Sequence, residues 1–230
     1  MRLNKFIASA GYCSRRQADI LIEKGKVKVN GKVAILGKDV DESKDRVEVE
    51  NKRIYLEDEK LYIMLNKPRG YVTTANDENG RKTIFEIVKS KQRLFAVGRL
   101  DIATEGLLLL TNDGKFANDL MHPSKKIEKT YIAKVKGEIT DEKITKLADG
   151  VQIDGYMTSP AKVKRVGLEE LEIIISEGKN RQVRKMCEAV NLDVSKLRRI
   201  KLGSLEVKGL KVGEYRDLKI EELQQLVKSN

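Results

Sequence analysis

The sequence has little of what soft-metal chemistry or disulfide stapling requires: two cysteines, Cys13 and Cys187, and one histidine, His122, in 230 residues. Two distant thiols cannot staple a chain of this length, which fits a reducing compartment. With a single histidine they supply too few ligands for a zinc site. Tryptophan is absent and aromatics make up 5%. Three prolines and seventeen glycines are far from a collagen-like or low-complexity composition. No apolar run approaches the roughly 20 residues of a membrane-spanning helix, and the start, MRLNKFI, lacks a secretory apolar core. Neither GxGxxG nor a phosphate-cradling GxxxxGKS/T occurs, so a nucleotide cofactor has no support. A cytoplasmic protein is expected, with no metal, no cofactor and no membrane partner.

Basic charge is what the chain has in excess: 46 Lys+Arg against 35 Asp+Glu, a formal net charge of +11. Such an excess points to a polyanion partner. Residues 1–32 hold eight basic and two acidic residues, net +6; residues 33–59 hold five and nine, net −4; residues 179–201 hold eight and two, net +6 again. Two basic blocks around an acidic stretch fit two surfaces on one polyanion, and equally two solvated helix faces.

Ser14 followed by Gln17 is a capping-box pattern, predicting a helix over 15–24 with Ala18, Leu21 and Ile22 as its apolar stripe and Gly25 as its C′ residue. Arg15 and Arg16 occupy the first turn, where the macrodipole favours acids by about 0.3–1 kcal/mol each. Free N–H groups at a helix start attract phosphate, and two guanidiniums strengthen that attraction. Val27–Val29, Asn30-Gly31 and residues 32–34 read as strand, tight turn and strand. The stretch RLNKFIASAGYCSRRQADILIEKGKVKVNGKVA resembles the S4 RNA-binding module of ribosomal protein S4 and several RNA-modifying enzymes, over about residues 2–50. The resemblance implies two helices plus short strands that dock on structured RNA by shape and phosphate. It makes Arg2, Lys5, Arg15, Arg16 and Lys28 candidate RNA contacts, and implies no catalysis.

Residues 50–60, ENKRIYLEDEK, are dense in charge, and a boundary is placed there, giving domains 1–58 and 59–230. Beyond it, apolar runs at 61–65, 94–97, 107–110, 131–135, 171–175 and 200–202 alternate with predicted helices at 83–89, 115–121, 141–147, 181–190 and 220–227. Without a strict βαβ rhythm this favours α+β over a doubly wound sheet.

The densest punctuation is VGRLDIATEGLLLL, residues 97–110: a buried strand enters, a glycine-bounded loop carries Asp101, and a second buried strand leaves. An acid between two core strands is costly unless solvated, paired or functional. On chemistry alone Asp101 is either a solvent-facing loop acid or a working group. Tyr131 is either a core tyrosine or an aromatic face for a ligand. Val183, Met186, Cys187 and Val190 form a helical core stripe that leaves Arg181, Arg184 and Lys185 off the buried face, free for solvent, carboxylate or phosphate.

GRLDIATEGLLLLTNDG resembles the catalytic motif of the pseudouridine synthases that modify ribosomal RNA and carry an N-terminal S4 module. NKPRGYV (66–72), KTY (129–131) and EGKNRQVRKM (177–186) resemble that family's other motifs, in order. The resemblance implies a catalytic domain built on a mostly antiparallel mixed sheet flanked by helices. It also implies a reaction in which the C1′–N1 bond of a uridine breaks, the uracil turns, and C5 takes the sugar. No cofactor is needed. Asp101 is then the carboxylate nucleophile, Arg184 the cation beside it, of a kind that keeps a buried carboxylate ionised, and Tyr131 the aromatic against a flipped-out base. Arg99, Asn180, Arg181 and Lys185 become candidate RNA contacts. His122 in MHPS is read as loop or RNA-backbone contact rather than general base, and neither cysteine as a nucleophile.

NR at 180–181 and Arg184 resemble the branch acting on 23S rRNA more than the 16S branch. The expected partner is therefore ribosomal RNA, 23S favoured over 16S, free or in an assembly intermediate, with the protein a monomer. The competing reading is a non-catalytic S4-type RNA-binding protein or ribosome-assembly factor, which needs the basic patches but not Asp101, Tyr131 or Arg184. Replacing Arg15 and Arg16 together with Ala is expected to weaken RNA binding and to reduce the slope of log K against log salt by about 0.7–0.9 per lost phosphate contact. A salt titration of binding with unchanged affinity and slope would remove the phosphate role from that helix start.

Overall fold

A computed structural model of the chain describes residues 1–75 and 77–228. Two compact units result: one of Met1–Leu61 with Ser90–Leu94 and Thr111–Gly114, the other of Tyr62–Lys89, Phe95–Leu110 and the chain from Lys115 onward. Among the described residues no helix is long and apolar enough to cross a membrane.

In the first unit, helices Leu3–Ser9 and Arg15–Glu23 accompany a four-stranded antiparallel sheet in the order Lys32–Val33, Val27–Val29, Val47–Val49, Lys52–Arg53. The second helix starts where its cap predicts, with Ser14 Oγ accepting from the Gln17 amide at 3.2 Å. It ends at Gly25, whose φ of +67° suits the left-handed C′ position. Asn30 and Gly31, at φ of +53° and +77°, make the hairpin turn that needs two positive φ values. The core joins Leu3, Phe6, Ile7, Ala18 and Ile22 to the inward valines of the sheet. Asn112 binds the chain's return to this unit: its Nδ2 donates to Glu57 Oε2 at 3.0 Å and to the Glu59 carbonyl at 2.9 Å, and its Oδ1 accepts from the Leu61 amide at 2.9 Å.

The second unit is built on a nine-stranded mixed sheet. Its path runs Lys162–Gly167, Glu170–Ile175, Lys129–Lys136, Asp193–Leu202, Thr104–Thr111, Tyr62–Lys67, Tyr215–Asp217, with Phe95–Val97 and Leu205–Glu206 pairing beside it. Most strand pairs are antiparallel; Asp193–Leu202 against Thr104–Thr111 is parallel. Thr104–Thr111 is buried at seven of its eight positions, as a continuous apolar run in mid-sheet must be. Helices Gly114–Met121, Asp141–Asp149, Gln182–Ala189 and Ile220–Lys228 complete an α+β domain. One element departs from the sequence reading: the helix expected over 83–89 is a single 3-10 turn, Ile84–Glu86. The Thr83/Glu86 capping box is present, but Ile84, Ile87 and Val88 are β-branched and weak at propagating a helix.

Where Thr104–Thr111 meets Asp193–Leu202, Gly106 lies opposite Arg199, with φ of +112°. A Cβ there would run into the Arg199 carbonyl oxygen and lie 2.7 Å from its amide nitrogen. Gly106→Ala is therefore expected to destabilise the protein by more than about 2 kcal/mol, from positive φ and overpacking together. A urea-unfolding midpoint within error of the wild type would show that the two strands can separate without cost.

Candidate active site

Asp101 lies in the loop between strands Phe95–Val97 and Thr104–Thr111, and that loop is held from one side by residues 67–73. Lys67 ends a buried strand and is itself fully buried. Its Nζ donates to the carbonyls of Pro68 at 3.1 Å, Asp101 at 3.1 Å and Thr104 at 2.9 Å, which uses all three of its protons. Burial pushes the ammonium down to about 8, against the opposing pull of Asp101 and Glu105. The Gly70 amide donates to the Ile102 carbonyl at 2.8 Å. Thr73 Oγ1 donates to the Leu100 carbonyl at 2.7 Å and accepts from the Leu100 amide at 3.3 Å. A tight turn, Thr104 amide to Asp101 carbonyl at 3.0 Å, closes the loop. The backbone on both sides of Asp101 is thus fixed, while its side chain stays half-buried rather than sealed in.

That side chain meets a cleft of about 360 Å³ lined also by Tyr131, Arg99, Lys129, Arg181 and Arg199. The volume is at the lower end of the range for small-molecule sites, about 300–1,000 Å³. Tyr131 is 8% exposed on strand Lys129–Lys136, in register with Ile173 on one side and Arg199 on the other. The lining carries five basic side chains, Arg99, Lys129, Lys179, Arg181 and Arg199, and one acid, Asp101. One acid, one aromatic wall and a surplus of cations are what a nucleophile acting on a polyanion's base needs.

The structure brings Asp101, Tyr131, Arg99, Asn180 and Arg181 to this cleft. Arg184 is placed differently from the expected carboxylate partner. Its Nη1 donates to the Val194 carbonyl at 2.7 Å and its Nη2 to the Ala103 carbonyl at 3.0 Å. Among the described residues it makes no ion pair with Asp101 and holds the loop through the Ala103 carbonyl instead. Burial, then the nearby Arg181 and Arg69 charges, lower its pKa, and Asp101 acts in the opposite sense. Lys185, expected to face RNA, is half-buried and paired with the Asp154 carboxylate. In the first unit Arg2 is likewise engaged, by the Gly37 carbonyl and, at 3.8 Å, by Asp39. Lys28 donates to Asn51 Oδ1 at 3.1 Å and Arg15 to Asn4 Oδ1 at 3.5 Å, whereas Lys5 and Arg16 are exposed. His122 is exposed with Nδ1 2.7 Å from Ser124 Oγ, apart from the cleft lining. Cys187 is buried, and burial pushes its thiol up to about 12.

Three side chains went unassigned in the sequence: Lys67, Lys129 and Arg199. Lys129 is 8% and Arg199 3% exposed. The available signal was a cation at an inward position of an apolar strand, as in Leu197 and Arg199 on alternate residues.

Comparison with known proteins identifies the family. The model of the RNA pseudouridylate synthase family matches residues 61–189, and that of the S4 domain residues 1–47. The chain is 46% identical over 233 residues to ribosomal large subunit pseudouridine synthase B of Bacillus subtilis (strain 168), covering 98% of this chain and 95% of that one. It is 40% identical over 229 residues to the dual-specificity RNA pseudouridine synthase RluF of Salmonella typhi, covering 99% of this chain and 78% of that one. A crystal structure of a pseudouridylate synthase superposes with a TM-score of 0.73 at 32% identity, covering 98% of this chain and 99% of the other. With the catalytic motif, the cleft and these relatives in agreement, the chain belongs to the RNA pseudouridylate synthase family, enzymes that isomerise uridine in RNA.

Proposed function

We propose that this protein converts a uridine of 23S ribosomal RNA into pseudouridine, as a cytoplasmic monomer, with residues 1–58 docking on the RNA and residues 59–230 carrying the reaction. The observation that supports it most directly is that Asp101 and Tyr131 line one cleft of nucleotide scale. A base inside folded RNA must leave its stack to enter such a cleft, and an aromatic wall compensates part of the lost stacking. Asp101 is the nucleophile; Tyr131 lies against the flipped base; Arg99, Asn180 and Arg181, exposed at the cleft, meet the RNA backbone. Lys67 and Arg184 act as positioning residues that hold the carbonyls around Asp101. The large subunit is favoured by the Asn180-Arg181 and Arg184 pattern, and by the name carried by the Bacillus subtilis relative.

Sequencing that maps pseudouridine in 23S and 16S rRNA, from cells with and without the gene, tests the substrate. One 23S position losing its modification is the expected result; loss from 16S alone would contradict it. Asp101→Asn is expected to lower turnover by at least about 10³-fold while RNA affinity stays within about threefold. Retained turnover would remove the nucleophile role from Asp101, whereas a wild-type protein without turnover on any rRNA would favour the binding-protein reading. Lys67→Met removes a charged donor from three carbonyls and is expected to lower both stability, by at least about 2 kcal/mol, and turnover. Unchanged urea unfolding together with full activity would show that the loop does not depend on it.

A further inference from the structure

The five cations of the cleft fall into two groups. Arg99, Lys179 and Arg181 are exposed, as groups that meet phosphodiester oxygens at a cleft mouth should be. Lys129 and Arg199 are more than nine-tenths buried and too deep to serve a backbone that remains outside. Arg199 occupies an inward position of strand Asp193–Leu202, directly across from Tyr131. Its Nε donates to the Leu107 carbonyl at 2.8 Å, yet among the described residues its buried Nη2 has no hydrogen-bond partner. Thr104, 2% exposed and also lining the cleft, has an equally unpartnered Oγ1. Lys129 donates to the Ile127 carbonyl at 2.9 Å and the Ser176 carbonyl at 3.3 Å, leaving one of its three protons over. Buried donors of this kind are rarely left unsatisfied, and a charged one least of all. All three residues belong to the wall of the cleft that the base enters, with Arg199 Nη2 and Thr104 Oγ1 just beneath its surface.

Accordingly, we propose that Arg199 is a catalytic residue: its free Nη2 donates to a carbonyl oxygen of the flipped uracil and stabilises the negative charge the ring carries when C1′–N1 breaks. This rests on the reading that uracil occupies the cleft. The bonding pair of C1′–N1 passes to the ring and spreads over N1, O2 and O4. Asp101 bonds C1′ as that pair leaves; when a ring pair then forms C5–C1′, the Asp101–C1′ pair returns to the carboxylate, the C5 proton leaves, and N1 takes a proton. Charge therefore accumulates on the carbonyl oxygens between the two bond changes. A fixed guanidinium in a water-poor site stabilises it without reorganising. Lys129 adds a second positive charge on the same wall, and Thr104 Oγ1 supplies a neutral partner for the ring edge. The strand contact to Leu107 holds the guanidinium plane, so the donor is placed before substrate arrives.

The test uses 23S rRNA fragments transcribed with uridine or with 5-fluorouridine throughout, in single-turnover assays by the whole enzyme that read loss of the parent N-nucleoside at the target, a step both share although the fluorinated ring has no C5 proton to release. Fluorine withdraws electrons and makes the ring a more stable anion, so a residue that stabilises that anion matters less on the fluorinated RNA. Arg199→Gln is expected to slow conversion of uridine by about 10²–10³-fold, with RNA affinity within about threefold, and the deficit should shrink to under about tenfold on 5-fluorouridine. Arg199→Lys, which keeps the charge, should lose less and show the same compression; it carries the comparison if the Gln variant fails to fold. An equal deficit on both RNAs, or one seen only in affinity, would reduce Arg199 to a structural strand contact and overturn the proposal. A wild-type enzyme inert on uridine RNA would instead overturn the reading beneath it.

Discussion

A single buried ammonium sets the geometry on which the rest of the active domain depends. Among the described residues Lys67 has no carboxylate partner within hydrogen-bond reach; its three protons go to the carbonyls of Pro68, Asp101 and Thr104. Desolvating a lysine this fully is costly, and burial accordingly holds its pKa down at about 8. The cost is offset by three charge-assisted hydrogen bonds, and those bonds define where the loop bearing Asp101 can sit. Gly70 and Thr73 add backbone clamps from the same segment, and Arg184 holds the Ala103 carbonyl from the opposite element. Asp101, the proposed nucleophile, is therefore the half-buried side chain of a loop whose backbone has little freedom left.

Charge in the cleft is arranged by depth. Exposed arginines and lysine at the mouth suit the sequence-independent part of RNA binding, where phosphate contact dominates affinity. The buried pair, Lys129 and Arg199, destabilise one another, and burial with the Arg199 charge holds the lysine at about 8, Glu177 opposing. Proteins keep such unfavourable pairs chiefly where function uses the field they create. The net charge of the chain is thus a sum of two different roles.

Much of the fold was legible from short-range chemistry. The Ser14 cap, the Asn30-Gly31 turn and the central apolar strands follow from local rules, and the structure reproduces them. Elements that depend on long-range partners were not legible. Strand Lys162–Gly167 carries lysines and arginine with no apolar alternation, because it is a solvated sheet edge. A capping box at Thr83 marked a real start, and β-branched residues ended the turn at once. In the site, motif resemblance located Asp101 and Tyr131, but the partners of Arg184 and Lys185 are set by a carbonyl 81 residues away and a carboxylate 31 residues away. Nothing in the spacing of residues 181–185 reveals either. Lys67 and Lys129 fall within the NKPRGYV and KTY motifs, yet neither they nor Arg199 carry a role in the sequence, because only the sheet buries them.

The cleft is proposed to break and remake a glycosidic bond on uridine. Release of the C5 proton reports that chemistry wherever in the RNA the target lies. Purified wild-type protein incubated with 23S rRNA carrying tritium at uracil C5 should release label to water up to a plateau equal to the number of sites modified per RNA. No release above background, from free rRNA or from assembly intermediates, would contradict the account.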